Sequence, residues 1–230
     1  MREAAVDGFL VYSTYRGDPR VDAALERGLP AVRVDEPYDS PTPLIGIDDR
    51  AAARAAALHL RELGHERVGI LSFLEHVEGR PRHVFDVTRA RNEGYREGLG
   101  EAFDPALVAI SMPNSAATGR ARLKELMTAE RPPTAVLAMA DSLAEGALQG
   151  ARELGLEVPR DLSVAGFDDG PQAAFTLPPL TTVRQPTERK GELAASMLLA
   201  AIESGGAPEP ARTILPAELV VRASTGPAPR

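Results

Sequence analysis

Short apolar runs alternate with helical patterns along the whole chain. Val6–Tyr12 (VDGFLVY) predicts a buried strand, Pro19–Arg27 a helix closed by Gly28, and Ala31–Asp35 and Leu44–Asp48 two more strands. Asp49–Leu63 is rich in Ala and Leu and predicts a helix with Gly64 as its C-terminal cap. Val68–Phe73 predicts a strand, followed by a polar stretch, Leu74–Asp86. Beyond it come a helix at Val87–Leu99, a strand at Leu107–Ser111, a helix at Gly119–Ala129 and a strand at Ala135–Met139. Asp141–Leu154 predicts a helix, with Ser142 and Glu145 at capping-box spacing. Leu162–Phe167 and Thr181–Arg184 predict strands, and Pro186–Ser204 a long helix with Pro near its first turn. Arg212–Arg222 is a last extended segment interrupted by Pro216, and the Pro-rich tail 226–230 reads as loose. Strands that alternate with helices and are apolar throughout predict a parallel sheet covered on both faces.

Composition narrows the function classes. The 230 residues suffice for one large domain or two lobes. Aromatics are 4% and Trp is absent, so the core must be Ala, Val, Leu and Ile. With no Cys, disulfides, thiolate metal sites and Cys nucleophiles are excluded. No apolar run is long enough to span a membrane, and the acidic start MREAAVD does not read as a secretory signal, so a cytoplasmic protein is expected. A net charge of −7 makes this chain by itself a poor DNA binder.

Ligands of open α/β sheets bind beyond the carboxyl ends of the strands. Short polar residues recur there: Tyr12 and Ser13 after the first strand, Asp35, Asp48, Asn114, Asp141, and the pair Asp168-Asp169. Asp48 or Asp49 reads first as a helix cap, Asp141 equally as a cap or a ligand contact, and Asp35 also as the start of a turn with Glu36-Pro37. Asp168 sits beside a second acid in the Gly-flanked turn GFDDG, which favours a functional role. A carboxylate there suits hydroxyl recognition, and Arg91 or Arg89 would supply the matching donors. The competing reading of Arg91 is a solvated helix face paired with Glu93 or Glu97.

Several stretches resemble the lactose-repressor (LacI/GalR) family of transcription regulators: IGIDD at 45–49, AALHLRELGH at 56–65, RVGIL at 67–71, RARNEGYRE at 89–97, PTAVLAMAD at 133–141, GALQGARELGLEVP at 146–159 and LPAELVVRAST at 215–225. DLSVAGFDDGPQAAFTLPPLTTVRQP at 161–186 is the most specific. The resemblance implies an α/β, periplasmic-binding-protein-like fold of type I. Two doubly wound parallel-sheet lobes would be joined by three crossovers, near 48–51, 182–186 and 209–212. The first lobe would hold 1–50 plus 183–208, and the second 51–182 plus 209–230. It further implies that Asp168 and Arg91 bind the effector in the cleft, that Asp35, Asn114 and Gln185 line it, and that Tyr12, Ser13 and Asp141 stand near it. Ala140 departs from the Asn usual in the family, which points away from a typical sugar contact there. No headpiece or hinge helix precedes Val6, so a shortened chain or a misplaced start codon is expected, with the first lobe incomplete at its N-terminus.

The leading expectation is therefore the ligand-sensing part of a LacI-family regulator, a repressor type. It would take a small carbohydrate-like or nucleoside-like effector and no cofactor, form a homodimer, and reach operator DNA through a headpiece outside this chain. The alternative is a solute-binding protein of a sugar transport system, which the lack of an export signal disfavours. An enzyme is disfavoured because HExxH, Walker A, GxGxxG and GxSxG motifs are absent and His59, His65, His76 and His83 lack metal-ligand spacing.

Overall fold

The computed structural model describes residues 5–14, 17–35, 42–73, 85–206 and 211–229. Residues 74–84 of the polar stretch, with His76 and His83, lie outside the described residues, as do the turn expected at Glu36-Pro37 and the start of the crossover expected at Glu209. The chain divides into two compact units.

The first unit comprises the described parts of residues 1–48 and 186–216, with residues 85–89. It carries β1 (Phe9–Tyr12), α1 (Pro19–Leu25), β2 (Ala31–Val34), β3 (Leu44–Ile47), α6 (Thr187–Ser204) and β9 (Arg212–Leu215). The sheet order is β1-β2-β3-β9, parallel throughout. Its core joins Val32, Val34 and Ile45 of the sheet to Ala194 of α6, with Leu193, Met197, Leu198 and Leu215 packed around them. β1 is an edge strand with Leu10 and Tyr12 exposed. It begins at Phe9, later than the apolar pattern predicts, because Val6 is itself exposed.

The second unit comprises residues 49–76 where described, 90–185 and 217–230. It carries α2 (Asp49–Glu62), β4 (Val68–Ser72), most of α3 (Asp86–Leu99), β5 (Val108–Ile110), α4 (Ala116–Leu126), β6 (Ala135–Ala138), α5 (Asp141–Glu153), β7 (Ser163–Asp168), β8 (Thr181–Arg184) and β10 (Glu218–Val220). The six strands run β10-β8-β7-β6-β4-β5, and only β10 is antiparallel to its neighbour. β4 and β6 are buried at every position, as expected for strands covered on both faces.

The segment read as one extended run at 212–222 is two strands in two sheets. Pro216 cannot donate to a ladder, so β9 ends before it, pairing with β3, and β10 begins after it, pairing with β8. Residues 211–216, expected in the second lobe, therefore lie with the first unit.

Glycines set how closely the helices of the second unit approach. A β-carbon on Gly94 of α3 would stand 2.2 Å from the Arg50 carbonyl oxygen of α2, and one on Gly98 2.6 Å from that of Arg54. This backbone-to-backbone contact brings the start of α2, with Asp49, against Arg91 one turn earlier on α3.

Candidate ligand-binding site

Arg91 is buried, contrary to the solvated-face reading. Its Nε donates to Asp49 Oδ1 at 2.8 Å and its Nη1 to the Met139 carbonyl oxygen at 2.7 Å. The guanidinium lies 3.7 Å from the ring centroid of Phe167, within cation–π range. Nη1 stands 3.9 Å from Asp168 Oδ1. Burial alone would lower the Arg91 pKa, but the carboxylates of Asp49 and Asp168 raise it above the usual value. Glu97 pairs instead with Arg50. Arg89 is exposed and, among the described residues, pairs with Asp86 at 3.9 Å, which leaves Arg91 as the arginine of the site.

The three acids at the FDDG turn have different roles. Asp169 side-chain oxygens receive Arg184 Nε at 2.7 Å and Arg222 Nη2 at 2.8 Å, and only 6% of the side chain is exposed. Asp141 accepts Thr182 Oγ1–H at 2.6 Å and the Gly170 backbone N–H at 2.8 Å. Burial pushes the Asp141 carboxyl up to about 7, against the pull of these two donors. Asp141 leaves no room for a side chain on Gly166, whose β-carbon would lie 2.4 Å from Oδ1. Asp169 and Asp141 thus brace the FDDG turn. Asp168 is presented by it: 40% of its side chain is exposed, and Gln185 Nε2 donates to its Oδ1 at 2.6 Å.

The structure brings Arg91, Asp168 and Gln185 into one cluster, with Asp141 locking the same turn. Asn114 is exposed after β5 and accepts the Ser142 hydroxyl. In the sheet, β5 stands three strand spacings from β7, about 14 Å, so Asn114 shares the sheet edge without joining the cluster. Tyr12, Ser13 and Asp35 belong to the first unit, at the carboxyl ends of β1 and β2. Tyr12 is exposed, and Asp35 pairs with Lys190 through Oδ2 at 2.5 Å.

Backbone strain marks the same places. Among the described residues, four that are not glycine have a left-handed φ: Ser13 at 45°, Asp35 at 54°, Asp168 at 124° and Asp169 at 53°. Three of them are site residues expected from sequence, each at the carboxyl end of a different strand. Such conformations cost about 1–3 kcal/mol each and concentrate at functional sites.

Several partners were not legible as such. Asp49 reads as a helix cap, yet it is the buried counter-ion of Arg91. Phe167, Tyr95 and Lys190 read as parts of a strand or of helices. Tyr95 is fully buried with its phenol pKa pushed up by burial. The capping box expected at Ser142 and Glu145 does not form: Ala140 is the N-cap of α5 without a side-chain bond. α4 is capped instead by Ser115, which accepts the Thr118 N–H. Among the described residues, no group of three or more His, Asp or Glu could hold a metal ion.

Comparison with known proteins decides the family. A family model for the periplasmic-binding-protein-like domain matches residues 57–225. The regulator reg1 of Streptomyces lividans is 40% identical over 88% of this chain and 58% of its own length. MalR of Streptomyces coelicolor is 40% identical over 91% of this chain and 60% of its own. The chain belongs to the LacI/GalR family. It spans about three fifths of the length of these relatives, both named as HTH-type transcriptional regulators. Among solved structures, a transcriptional regulator CelR–cellobiose complex superimposes with a TM-score of 0.84 at 31% identity, covering 97% of this chain and 67% of that one. A LacI-family regulatory protein from Chloroflexus aggregans gives 0.80 at 33%, covering 96% and 77%. A LacI-family regulator from Enterococcus faecium with bound ribose gives 0.82 at 26%, covering 98% and 82%. In its LacI/GalR context the chain is of the ligand-binding-domain type. No described helix is long and apolar enough to cross a membrane.

Proposed function

We propose that this chain senses a small, polar, hydroxyl-rich effector of the sugar or nucleoside class for a cytoplasmic LacI-family regulator. The observation that carries this reading is Asp168: strained at φ 124°, gripped by Gln185, and 3.9 Å from the buried Arg91. Strain of this kind persists where a function requires it. A half-exposed carboxylate beside a guanidinium offers acceptor and donor to vicinal hydroxyls. Related regulators solved with cellobiose and with ribose support the class.

In this reading Arg91, Asp168 and Gln185 of the second unit contact the effector. Asn114 adds a further contact, and Asp35, Ser13 and Tyr12 are the candidate effector residues of the first unit. Asp141 shapes the turn. Operator contact is assigned to a helix-turn-helix segment of the whole regulator, in keeping with the chain's net charge of −7. A second copy of the chain is assigned to the apolar patch of the second unit around Phe175 and Leu177, which are 80% and 74% exposed.

The test is calorimetric titration of the chain with neutral mono- and disaccharides, including ribose and cellobiose, and with nucleosides. At least one compound should bind saturably, and Asp168→Ala should weaken it about tenfold or more. A panel without any binder, or a binder indifferent to both Asp168→Ala and Arg91→Ala, would refute the reading. In the whole regulator, the same compound should change operator affinity.

A further inference from the structure

Lys190 occupies an unusual place for a lysine. It lies in the first turns of α6, where the helix dipole is unfavourable to a cation. It also heads the apolar stripe of that helix, three and four residues before Leu193 and Ala194, which pack into the core. Only 2% of its side chain is exposed. Its ammonium meets Asp35 Oδ2 at 2.5 Å, and 8% of the Asp35 side chain is exposed.

Asp35 is only half used by this pair. It follows β2 at φ 54°, and among the described residues its Oδ1 is buried without a hydrogen-bond partner. Beside that oxygen stands Gly46 of β3. Among the described residues, a β-carbon built on Gly46 would meet one heavy atom within 4 Å, Asp35 Oδ1 at 3.6 Å. Among the described residues, an unsatisfied buried carboxylate oxygen therefore borders room that no side chain fills. Leaving such an acceptor unpaired is costly, so a donor that reaches it is bound strongly.

We propose that Lys190 sets the charge class of the effector. It is a positioning residue: it holds Asp35 by Oδ2, leaves Oδ1 for one donor from the ligand, and cancels the carboxylate charge. A neutral hydroxyl then fits the subsite, while a ligand ammonium would meet a carboxylate that is already neutralised and would lose its own hydration without return. This inference rests on the effector-binding reading above and extends it to a specificity-determining contact of the first unit.

The test uses three matched probes: cellobiose, its diamino analogue (the β-1,4-linked glucosamine disaccharide) and cellobiuronate. Each is titrated into the unaltered chain, Lys190→Met and Lys190→Arg. The unaltered chain and Lys190→Arg should prefer cellobiose. In Lys190→Met the preference for cellobiose over the diamino sugar should fall about tenfold or more, because Asp35 is left without its cation. Should Lys190→Met fail to fold, the double variant Asp35→Asn with Lys190→Met removes both charges, and it should weaken cellobiose without favouring the diamino sugar. A preference unchanged in Lys190→Met, or in the double variant a shift toward the diamino sugar, overturns the role of Lys190. If the unaltered chain binds none of the three probes, this extension fails, whereas the effector reading itself fails only when ribose, the other sugars and the nucleosides do not bind either. Binding by the unaltered chain with no change of preference sinks only the extension.

Discussion

Replacing Asp49 with Ala tests the buried electrostatics of the site most directly. Asp49 is 3% and Arg91 10% exposed at the side chain, so the change leaves a guanidinium inside the protein without its closest carboxylate. At an effective dielectric of about 20, unit charges 2.8 Å apart interact by roughly 6 kcal/mol, and at 3.9 Å, the distance to Asp168, by roughly 4 kcal/mol. Solvent screens the second attraction further, because Asp168 is 40% exposed. Arg91 keeps its bond to the Met139 carbonyl. Breaking a buried pair by removing one member costs about 3–5 kcal/mol, and the surviving contacts place this case at about 3 kcal/mol. For a chain of this size that lowers Tm by about 6–12 °C. Asp49→Asn keeps an acceptor for Arg91 Nε and should lose less. Urea unfolding followed by circular dichroism measures both variants. A loss below about 1 kcal/mol for Asp49→Ala would refute the idea that Asp49 holds Arg91 in place.

Three further outcomes are expected. The Asp141 carboxyl, at about 7 in the folded chain and 3.8 ordinarily, contributes stability that is present below the ordinary value and lost as pH rises through the folded one. Asp141→Asn can accept the Gly170 N–H and donate to the Thr182 oxygen, so it should equal the parent near about pH 4 and exceed it near about pH 8; a parallel pH dependence of the two melting curves would contradict this. His65 is fully enclosed, bonded to Thr134, Ser163 and the Gly226 carbonyl, and its pKa is lowered chiefly by burial. Its neutral form stabilises the fold above the ordinary value of 6.5, so stability should fall as pH drops from there through the folded value, and His65→Gln should flatten that slope in thermal melts. Phe175→Glu should weaken self-association about tenfold or more in sedimentation equilibrium, and an unchanged dimer would remove the patch from the proposed interface.

The alternation of apolar strands and helices made the α/β class legible, because strands covered on both faces, such as β4 and β6, must be apolar throughout. Position after a strand was the signal that picked out Ser13, Asp35 and Asp168. The partners that make these residues work were not legible. Asp49 and Arg91 lie 42 positions apart, and Lys190 and Asp35 lie 155 apart. A pairing across such distances depends on which helix face meets which strand end, and no local pattern records that. Pro216 was visible as an interruption, but its effect, sending the segments on either side into different sheets, depends on tertiary pairing. Lys190 continues the spacing of Ala194, Met197, Leu198 and Ala201, so a cation on the apolar stripe of α6 calls for a buried acid.

The contrast among Asp141, Asp168 and Asp169 shows why the number of acids at a sheet edge says little about a binding site. All three stand at the FDDG turn, and donors from the protein occupy both oxygens of Asp141 and both oxygens of Asp169. What they stabilise is the turn, including the left-handed backbone of Asp168 and Asp169. That stabilisation offsets a conformational cost of about 1–3 kcal/mol per residue and allows Asp168 to keep its exposed side chain in one orientation. Under the proposed function, a ligand meets an acceptor that is already oriented, and less of the binding energy goes into ordering it. In the proposed function, the sequence motif FDD encodes two tasks in adjacent positions: the second acid holds the fold and the first meets the ligand.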